Sequence, residues 1–236
     1  LYRVNELARG LESAFAKSGL PYRVLGSQRF YDRKEIRDVI AYLVLIANGR
    51  DDQKLKRVIN EPKRKIGTAT VDAIESLAAA EGVPMFDILG RAGDYVALGK
   101  SAPRLTELYR MLVALREMEA PPSRLMEEVL ARSGYLQMLQ DMGEEGQSAV
   151  DNVNELISAA VEYEARAEGE ATLSGFLEEV ALVSDVDKYD EQADAVVLMT
   201  IHSAKGRDFP VVFLAGMEEG IFPGTQSMSE PEELGE

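Results

Sequence analysis

The spacing of apolar residues changes twice along this chain, and these changes constrain the fold more than any other feature. From about residue 30 to residue 185, apolar residues recur at the spacing typical of amphipathic helices. Both ends instead carry short, dense apolar runs: PYRVLG at 21–26, AVVLMTIH at 195–202 and FPVVFLAG at 209–216. Such runs are typical of buried parallel strands. We predict an α/β domain formed by both ends of the chain, with a large all-helical domain inserted between them.

The N-terminal end carries further α/β signals. LYRV at 1–4 is interpreted as a strand remnant, and the apolar residues that follow fall at helical spacing until Gly19. The first residue already lies inside an apolar run, so we expect the chain to be part of a longer protein. The predicted domain bounds are 1–28 and 191–236 for the α/β domain and 29–190 for the helical domain.

Composition excludes several classes of protein. The chain has no cysteine, which excludes disulfides and thiolate metal sites and suits a reducing compartment. It has one histidine, so an ordinary zinc site is excluded and no metal site is predicted. No apolar run approaches the roughly 20 residues that a membrane span needs. We therefore expect a cytoplasmic protein with no membrane partner.

Charge is distributed unevenly along the chain. The net charge is −15, yet residues 22–66 contain 12 basic and 6 acidic side chains, a net of +6. Residues 67–236 contain 11 basic and 33 acidic side chains, a net of −22. The average argues against nucleic-acid binding, but a phosphate backbone needs only one basic face. The asymmetry predicts one short basic face on an acidic body.

The only histidine, His202, lies in TIHSAKG at 200–206. The pattern predicts a strand that ends at 200–202 and a polar turn at 203–206. Ligands bind at the carboxyl ends of parallel strands, where hydroxyl groups, backbone N–H groups and the Lys205 ammonium can bind phosphate. An ordinary turn with surface polar residues explains the same pattern, and the residues alone leave both interpretations open.

A second candidate site is PKRKIGTAT at 62–70, which opens a predicted helix. Three consecutive cations precede Gly67, a residue that allows close backbone approach to a ligand. Free N–H groups at the helix start, with Thr68 or Thr70 as the cap, would complete a pocket for a phosphate without reading a base. A capped helix with a solvated basic loop is an equally good interpretation.

Two aromatic residues, Phe30 and Tyr31, lie in RFYDRKEIRD at 29–38. They could stack on nucleic-acid bases. Aromatic residues at a helix start are more often part of the core, and we favour that interpretation.

Motifs for independent catalysis are missing from the sequence. It contains no GxxxxGK[ST] phosphate loop and no GxGxxG. With one histidine and no GxSxG beside it, a nucleophilic triad is not indicated. We predict no catalytic residues within this chain.

Four stretches, in this order, resemble the UvrD/PcrA/Rep group of superfamily 1 DNA helicases. They are LYRVNELAR, FYDRKEIRDVIAYLVLIAN, VINEPKRKIGTAT and VVLMTIHSAKGRDFPVVFLAGMEEGIFP. The resemblance implies a partial RecA-like 2A domain, of the P-loop NTPase type, at 1–28 and 191–236, and a helical 2B domain at 29–190. It also implies that domains 1A and 1B and motif VI belong to the parent protein. The parent would use ATP and Mg²⁺ to move 3′→5′ on single-stranded DNA and unwind duplex, whereas this piece would be inactive alone.

The resemblance also implies roles for individual residues. Those expected to bind single-stranded DNA are Arg3, Asn5, Thr200, His202 and Lys205. Those expected to bind duplex DNA are Lys63, Arg64, Lys65, Ile66, Gly67 and Thr70. Asp208 stands where the family usually has a Glu that binds the ATP ribose, and Arg207 where it usually has Leu. Lys65 replaces a frequent Gly, which adds charge but reduces backbone freedom.

Two alternatives remain at this point. The first is an acidic helical module that binds proteins without enzymatic activity, which would suit the charge of residues 67–236. The second is an intact hydrolase of unknown type. We also expect an exposed strand edge in the 2A flanks, which makes self-association plausible.

Overall fold

The structure is a computed structural model. It describes residues 1–3, 6–25, 29–167, 169–186 and 195–218. The chain divides into two compact units. The first contains the described residues of Leu1–Arg33 and Val180–Glu236, and the second is Lys34–Glu179. Residues from both ends of the chain therefore belong to one unit.

The first unit contains a small parallel sheet with short helices. Its elements are α1 (Glu6–Lys17), β1 (Tyr22–Leu25), a 3₁₀ turn (Phe30–Asp32), β2 (Val196–Met199) and α11 (Ile201–Ala204). β1 pairs in parallel with β2, in a register that places Tyr22 opposite Val196 and Leu25 opposite Met199. The strands predicted near residues 21 and 195 are confirmed, although 171 positions separate Leu25 from Val196 in the sequence.

Tyr2 continues this sheet as a single bridging residue. It forms parallel bridges to Thr200 and to Ala215, and its N–H donates to the carbonyl of Met199 over 3.1 Å. Of the strand predicted at 1–4, Tyr2 is the described residue that bridges to the sheet, and Val4 lies outside the described residues. The core around Tyr2 consists of Ala8, Ala16, Tyr22 and Leu198, with Leu7, Leu11 and Phe15 of α1 packed against it.

The prediction of a buried strand at 209–216 is wrong for the described structure. Only Ala215 makes a bridge there, and Val211 and Phe213 are 70% and 79% exposed. A buried parallel strand needs neighbouring strands and a covering layer on both faces. Among the described residues of this unit, only the Leu1–Tyr2 segment pairs with the run. Residues 209–216 therefore have the apolar composition of a buried strand but are not buried as one.

The strand predicted at 195–202 also ends earlier, at Met199. Thr200 has extended backbone angles and caps α11, because its Oγ1 accepts a hydrogen bond of 3.1 Å from the N–H of Ser203. A Thr at this position starts a helical turn by satisfying a free N–H group. His202 therefore lies on a short helix after the strand and not at the end of the strand.

The second unit is helical throughout its described residues, as the spacing predicts. Its helices are α2 (Lys34–Ala47), α3 (Asp52–Val58), α4 (Thr68–Glu81), α5 (Met85–Gly90), α6 (Ala102–Arg116), α7 (Pro122–Ser133), α8 (Tyr135–Gln140), α9 (Glu144–Arg166) and α10 (Leu173–Val186), and the division between the units falls within α10. Two 3₁₀ turns, Ala92–Asp94 and Val96–Ser101, precede α6. No described helix combines the length and the apolar composition that crossing a membrane requires.

Helix α2 is the centre of the second unit and packs against α3, α6, α7 and α9. Its buried residues are Ile36, Asp38, Val39, Ala41, Tyr42, Leu43, Leu45 and Ile46. A helix that buries this many positions must satisfy any polar group that it takes into the core. The Asp38 carboxylate does so by accepting from the Tyr135 hydroxyl (2.7 Å) and pairing with Arg57 (2.6 Å) and Lys34 (2.9 Å). This network of hydrogen bonds and ion pairs connects α2, α3 and α8.

Candidate nucleic-acid interfaces

The loop between α3 and α4 is held by a framework of internal hydrogen bonds. Asn60 Oδ1 accepts from the backbone N–H groups of Arg64 (2.8 Å) and Ile66 (3.2 Å). Ile66 is buried, and its backbone N–H is used within the loop. The loop therefore has a defined shape, and that shape decides which of its three cations face outward.

Arg64 points back into its own unit. Its guanidinium donates to the carbonyls of Val58 (2.9 Å) and Pro62 (3.2 Å) and to the hydroxyl of Tyr42 (2.7 Å). Burial raises the pKa of Tyr42, so this hydroxyl stays protonated and donates in turn to the carbonyl of Glu61 over 2.5 Å. Arg64 thus uses its donors to fix the loop.

Lys63 and Lys65 have the opposite orientation. Both side chains are exposed, and neither forms an ion pair with a described residue. They line a cleft of about 390 Å³ together with Arg64 of the same loop, Arg104, Glu107, Leu108 and Met111 of α6, and Arg132 and Ser133 of α7. This cleft contains three of the 12 cations of the basic stretch 22–66, and it also includes residues of α6 and α7, which the sequence did not indicate.

The start of α4 differs in part from the prediction. Gly67 is the N-cap, and no side chain caps the helix, so neither Thr68 nor Thr70 has the capping role. Thr70 Oγ1 instead lies 3.3 Å from Ser101 Oγ, which places the first turns of α4 and α6 side by side. The free N–H groups of α4 remain available beside Gly67. No described group of His, Asp or Glu side chains is arranged to hold a metal ion.

Lys65 has a left-handed backbone, with φ of 58°, and no other described non-glycine residue has a positive φ. This conformation costs a residue with a Cβ about 1–2 kcal/mol, whereas glycine adopts it freely. Lys65 therefore keeps a cation in the cleft at the expense of backbone strain.

We expect Lys65→Gly to raise the free energy of unfolding by about 0.5–1 kcal/mol, because relief of strain outweighs the greater entropy of glycine in the unfolded chain. Thermal and urea denaturation measure this change. Lys63→Gly is the matched control, since Lys63 has no positive φ and glycine should bring no gain there. Equal shifts for the two variants would contradict the strain at Lys65.

A second cleft, of about 620 Å³, lies in the first unit next to α11. The charged or polar residues that line it are Arg3, His202, Lys205, Arg207 and Asp208. All five are exposed. Thr200 is close in sequence, but its hydroxyl is 2.9 Å from Ser203 Oγ and serves as the helix cap. Asn5 lies outside the described residues, so its position relative to the cleft is not described.

The aromatic pair near residue 30 belongs to the core, as the favoured interpretation predicts. Phe30 is buried, and its ring meets that of Tyr31 edge-on at 5.1 Å between centroids. The guanidinium of Arg33 lies over the Phe30 ring at 5.4 Å. Phe30 is therefore enclosed by protein and is not presented for stacking on a base.

The sequence model of the protein family "UvrD-like helicase C-terminal domain" matches the whole chain, residues 1–236. The chain belongs to this family. The resemblance inferred from the four sequence stretches is confirmed. Relatives named "ATP-dependent DNA helicase PcrA" are 42% identical over 229 residues in Staphylococcus aureus and 43% identical over 228 residues in Staphylococcus epidermidis. Each match covers 94% of this chain, and the chain spans 31% of the length of these relatives.

Proposed function

We propose that this UvrD-like chain is the DNA-contacting part of an ATP-dependent helicase that moves 3′→5′ on single-stranded DNA and unwinds duplex. The observation that supports this proposal best is that each unit of an acidic chain presents a cleft lined by basic side chains. Residues 1–28 and 191–236 would form part of a RecA-like 2A domain, and residues 29–190 would form domain 2B. Domains 1A and 1B of the parent are its proposed partners.

Duplex DNA is the proposed ligand of the cleft in the second unit. Lys63 and Lys65 would contact phosphates, and the backbone at Ile66 and Gly67 would approach the same strand beside Thr70. Such contacts bind the backbone of any sequence. Arg64 donates to carbonyls of its own loop and would act by holding Lys63 and Lys65 in place.

Single-stranded DNA is the proposed ligand of the cleft in the first unit. Arg3, His202 and Lys205 line it, and Thr200 orders α11, on which His202 lies. Asn5 stays a proposed contact. The β-strand β2 ends where α11 begins. Single-stranded DNA bound in this cleft would therefore lie at the carboxyl edge of the sheet, where α/β folds bind ligands.

ATP with Mg²⁺ is the proposed energy source of the parent protein. Hydrolysis of the terminal phosphate of the bound ATP would supply that energy. Asp208 is exposed in the same cleft as Lys205 and Arg207, so its carboxylate can accept hydrogen bonds from ribose hydroxyls. This fits a nucleotide contact, although Asp is one methylene shorter than Glu. We assign no Mg²⁺ ligand to a described residue and propose that the chain alone does not hydrolyse ATP.

The net charge of −22 over residues 67–236 favours a second candidate, an acidic module that binds other proteins. The exposed apolar run at Val211–Phe213 also keeps self-association as a proposal. Self-association through an apolar run differs from DNA binding in its dependence on salt, because phosphate contacts release counterions and weaken steeply as salt rises.

Binding to a labelled single strand, followed by fluorescence anisotropy, tests the proposal for the first unit. We expect Lys205→Ala to lower the affinity several-fold and the slope of log K against log salt by about 0.7. Lys54→Ala, which removes a cation from the second unit, is the control. A wild-type chain that binds single strands without salt dependence, or equal effects of the two variants, would contradict the proposal.

A further inference from the structure

The cleft in the second unit contains a cation that the sequence motifs do not include. Arg104 lies in the first turn of α6, about 40 positions after the basic loop, and lines the cleft together with Lys63 and Lys65. The 3.3 Å contact between Thr70 and Ser101 keeps that turn beside the start of α4. The fold thus brings a second element, from a separate part of the sequence, to the same ligand position.

The other guanidinium groups of the cleft have partners. Arg64 donates to carbonyls of its own loop, and Arg132 Nε pairs with the carboxylate of Glu128 over 2.7 Å. Arg104 is half-buried and has no hydrogen bond or ion pair with a described residue, including Glu107 one turn later in the same cleft. Of the three guanidinium groups in the cleft, that of Arg104 has its donors available to a ligand.

Resting on the proposed duplex binding, we propose that Arg104 is a phosphate contact that binds the DNA backbone from the α6 side of the cleft. Arginine presents several N–H donors in a planar fork, which suits a phosphate better than the single ammonium of lysine. Lys63 and Lys65 approach from the loop side, so the cleft would hold a backbone segment between two elements. The lining residues Leu108 and Met111 offer no competing polar group, and Glu107 is the one described acidic residue that lines the cleft.

Titration of the chain with a labelled blunt DNA duplex over a range of salt tests this proposal. We expect Arg104→Ala to lower affinity about tenfold and to reduce the slope of log K against log salt by about 0.9, the contribution of one phosphate contact. Arg104→Lys should keep the slope and recover part of the affinity. Arg110→Ala is the control, because Arg110 is exposed on the same helix but does not line the cleft.

The outcomes separate this proposal from the proposed function. If the wild-type chain shows no salt-dependent duplex binding, both fail. If replacement of Lys63 and Lys65 weakens binding while Arg104→Ala leaves the slope unchanged, only the role of Arg104 is overturned. Equal losses for Arg104→Ala and Arg110→Ala also overturn it, since they would show a general effect of net charge. Melting temperatures near that of wild type establish that each variant is folded.

Discussion

Replacing both Lys63 and Lys65 by Glu is expected to lower the affinity of the chain for duplex DNA about 100-fold at low salt and to reduce the salt slope by about 2. Both side chains are exposed in the cleft beside α6 and have no described partner. Each would lose a phosphate contact, and each new carboxylate would repel the backbone. Anisotropy with a blunt duplex measures both the affinity and the slope.

The fold should tolerate this double substitution. Exposed positions usually change stability by less than about 0.5 kcal/mol. Lys65→Glu keeps a residue with a Cβ at the left-handed position, so the backbone strain there is unchanged. The variant therefore reports on binding and not on unfolding, which a circular-dichroism melt checks.

A charge-matched control removes the remaining ambiguity. Arg37→Glu with Arg110→Glu makes the same change in net charge at exposed positions on α2 and α6 that do not line the cleft. We expect it to weaken duplex binding much less. Equal losses in the two double variants would show that overall charge, and not the cleft, controls binding, and the proposed duplex site would then be wrong.

The sequence predicted the element types well where apolar periodicity was strong. The stripe in α2 and the runs that became β1 and β2 are examples, since their periods differ clearly. The start of α9, at Glu144, carries no such signal. Its first two turns are mostly polar, so no apolar spacing marks them. Composition likewise predicted burial for residues 209–216, but burial depends on neighbours that composition does not encode.

The candidate sites show a similar limit. The motif PKRKIG predicted a basic loop, yet three adjacent cations look equivalent in a sequence, whereas the fold turns Arg64 inward and Lys63 and Lys65 outward. That division depends on Tyr42 and Asn60, which hold the loop from 22 and 4 positions before Arg64, respectively. Arg104 gave no signal, because no local pattern connects it with the loop.

Arg64→Ala is expected to lower the free energy of unfolding by about 2–4 kcal/mol, a large effect for a residue that is only half-buried. The substitution removes the charged donor from the carbonyls of Val58 and Pro62 and from the Tyr42 hydroxyl. Hydrogen bonds from a charged group each contribute about 1.5–3 kcal/mol, less where water can replace the donor. Urea denaturation followed by circular dichroism measures the loss.

Arg64→Lys separates a positioning role from a direct contact with DNA. Lysine keeps the charge, but its single ammonium cannot serve three acceptors in different directions, so we expect it to recover only part of the stability. Among molecules that remain folded, the salt slope for duplex binding should stay within experimental error of wild type, because the Nη1 and Nη2 donors of Arg64 bind protein acceptors. Arg64→Ala with unchanged stability and a slope lower by about 0.9 would instead identify Arg64 as a phosphate contact. Arg64 would then have to leave the loop carbonyls when DNA binds, and the loop would no longer be a fixed platform for Lys63 and Lys65.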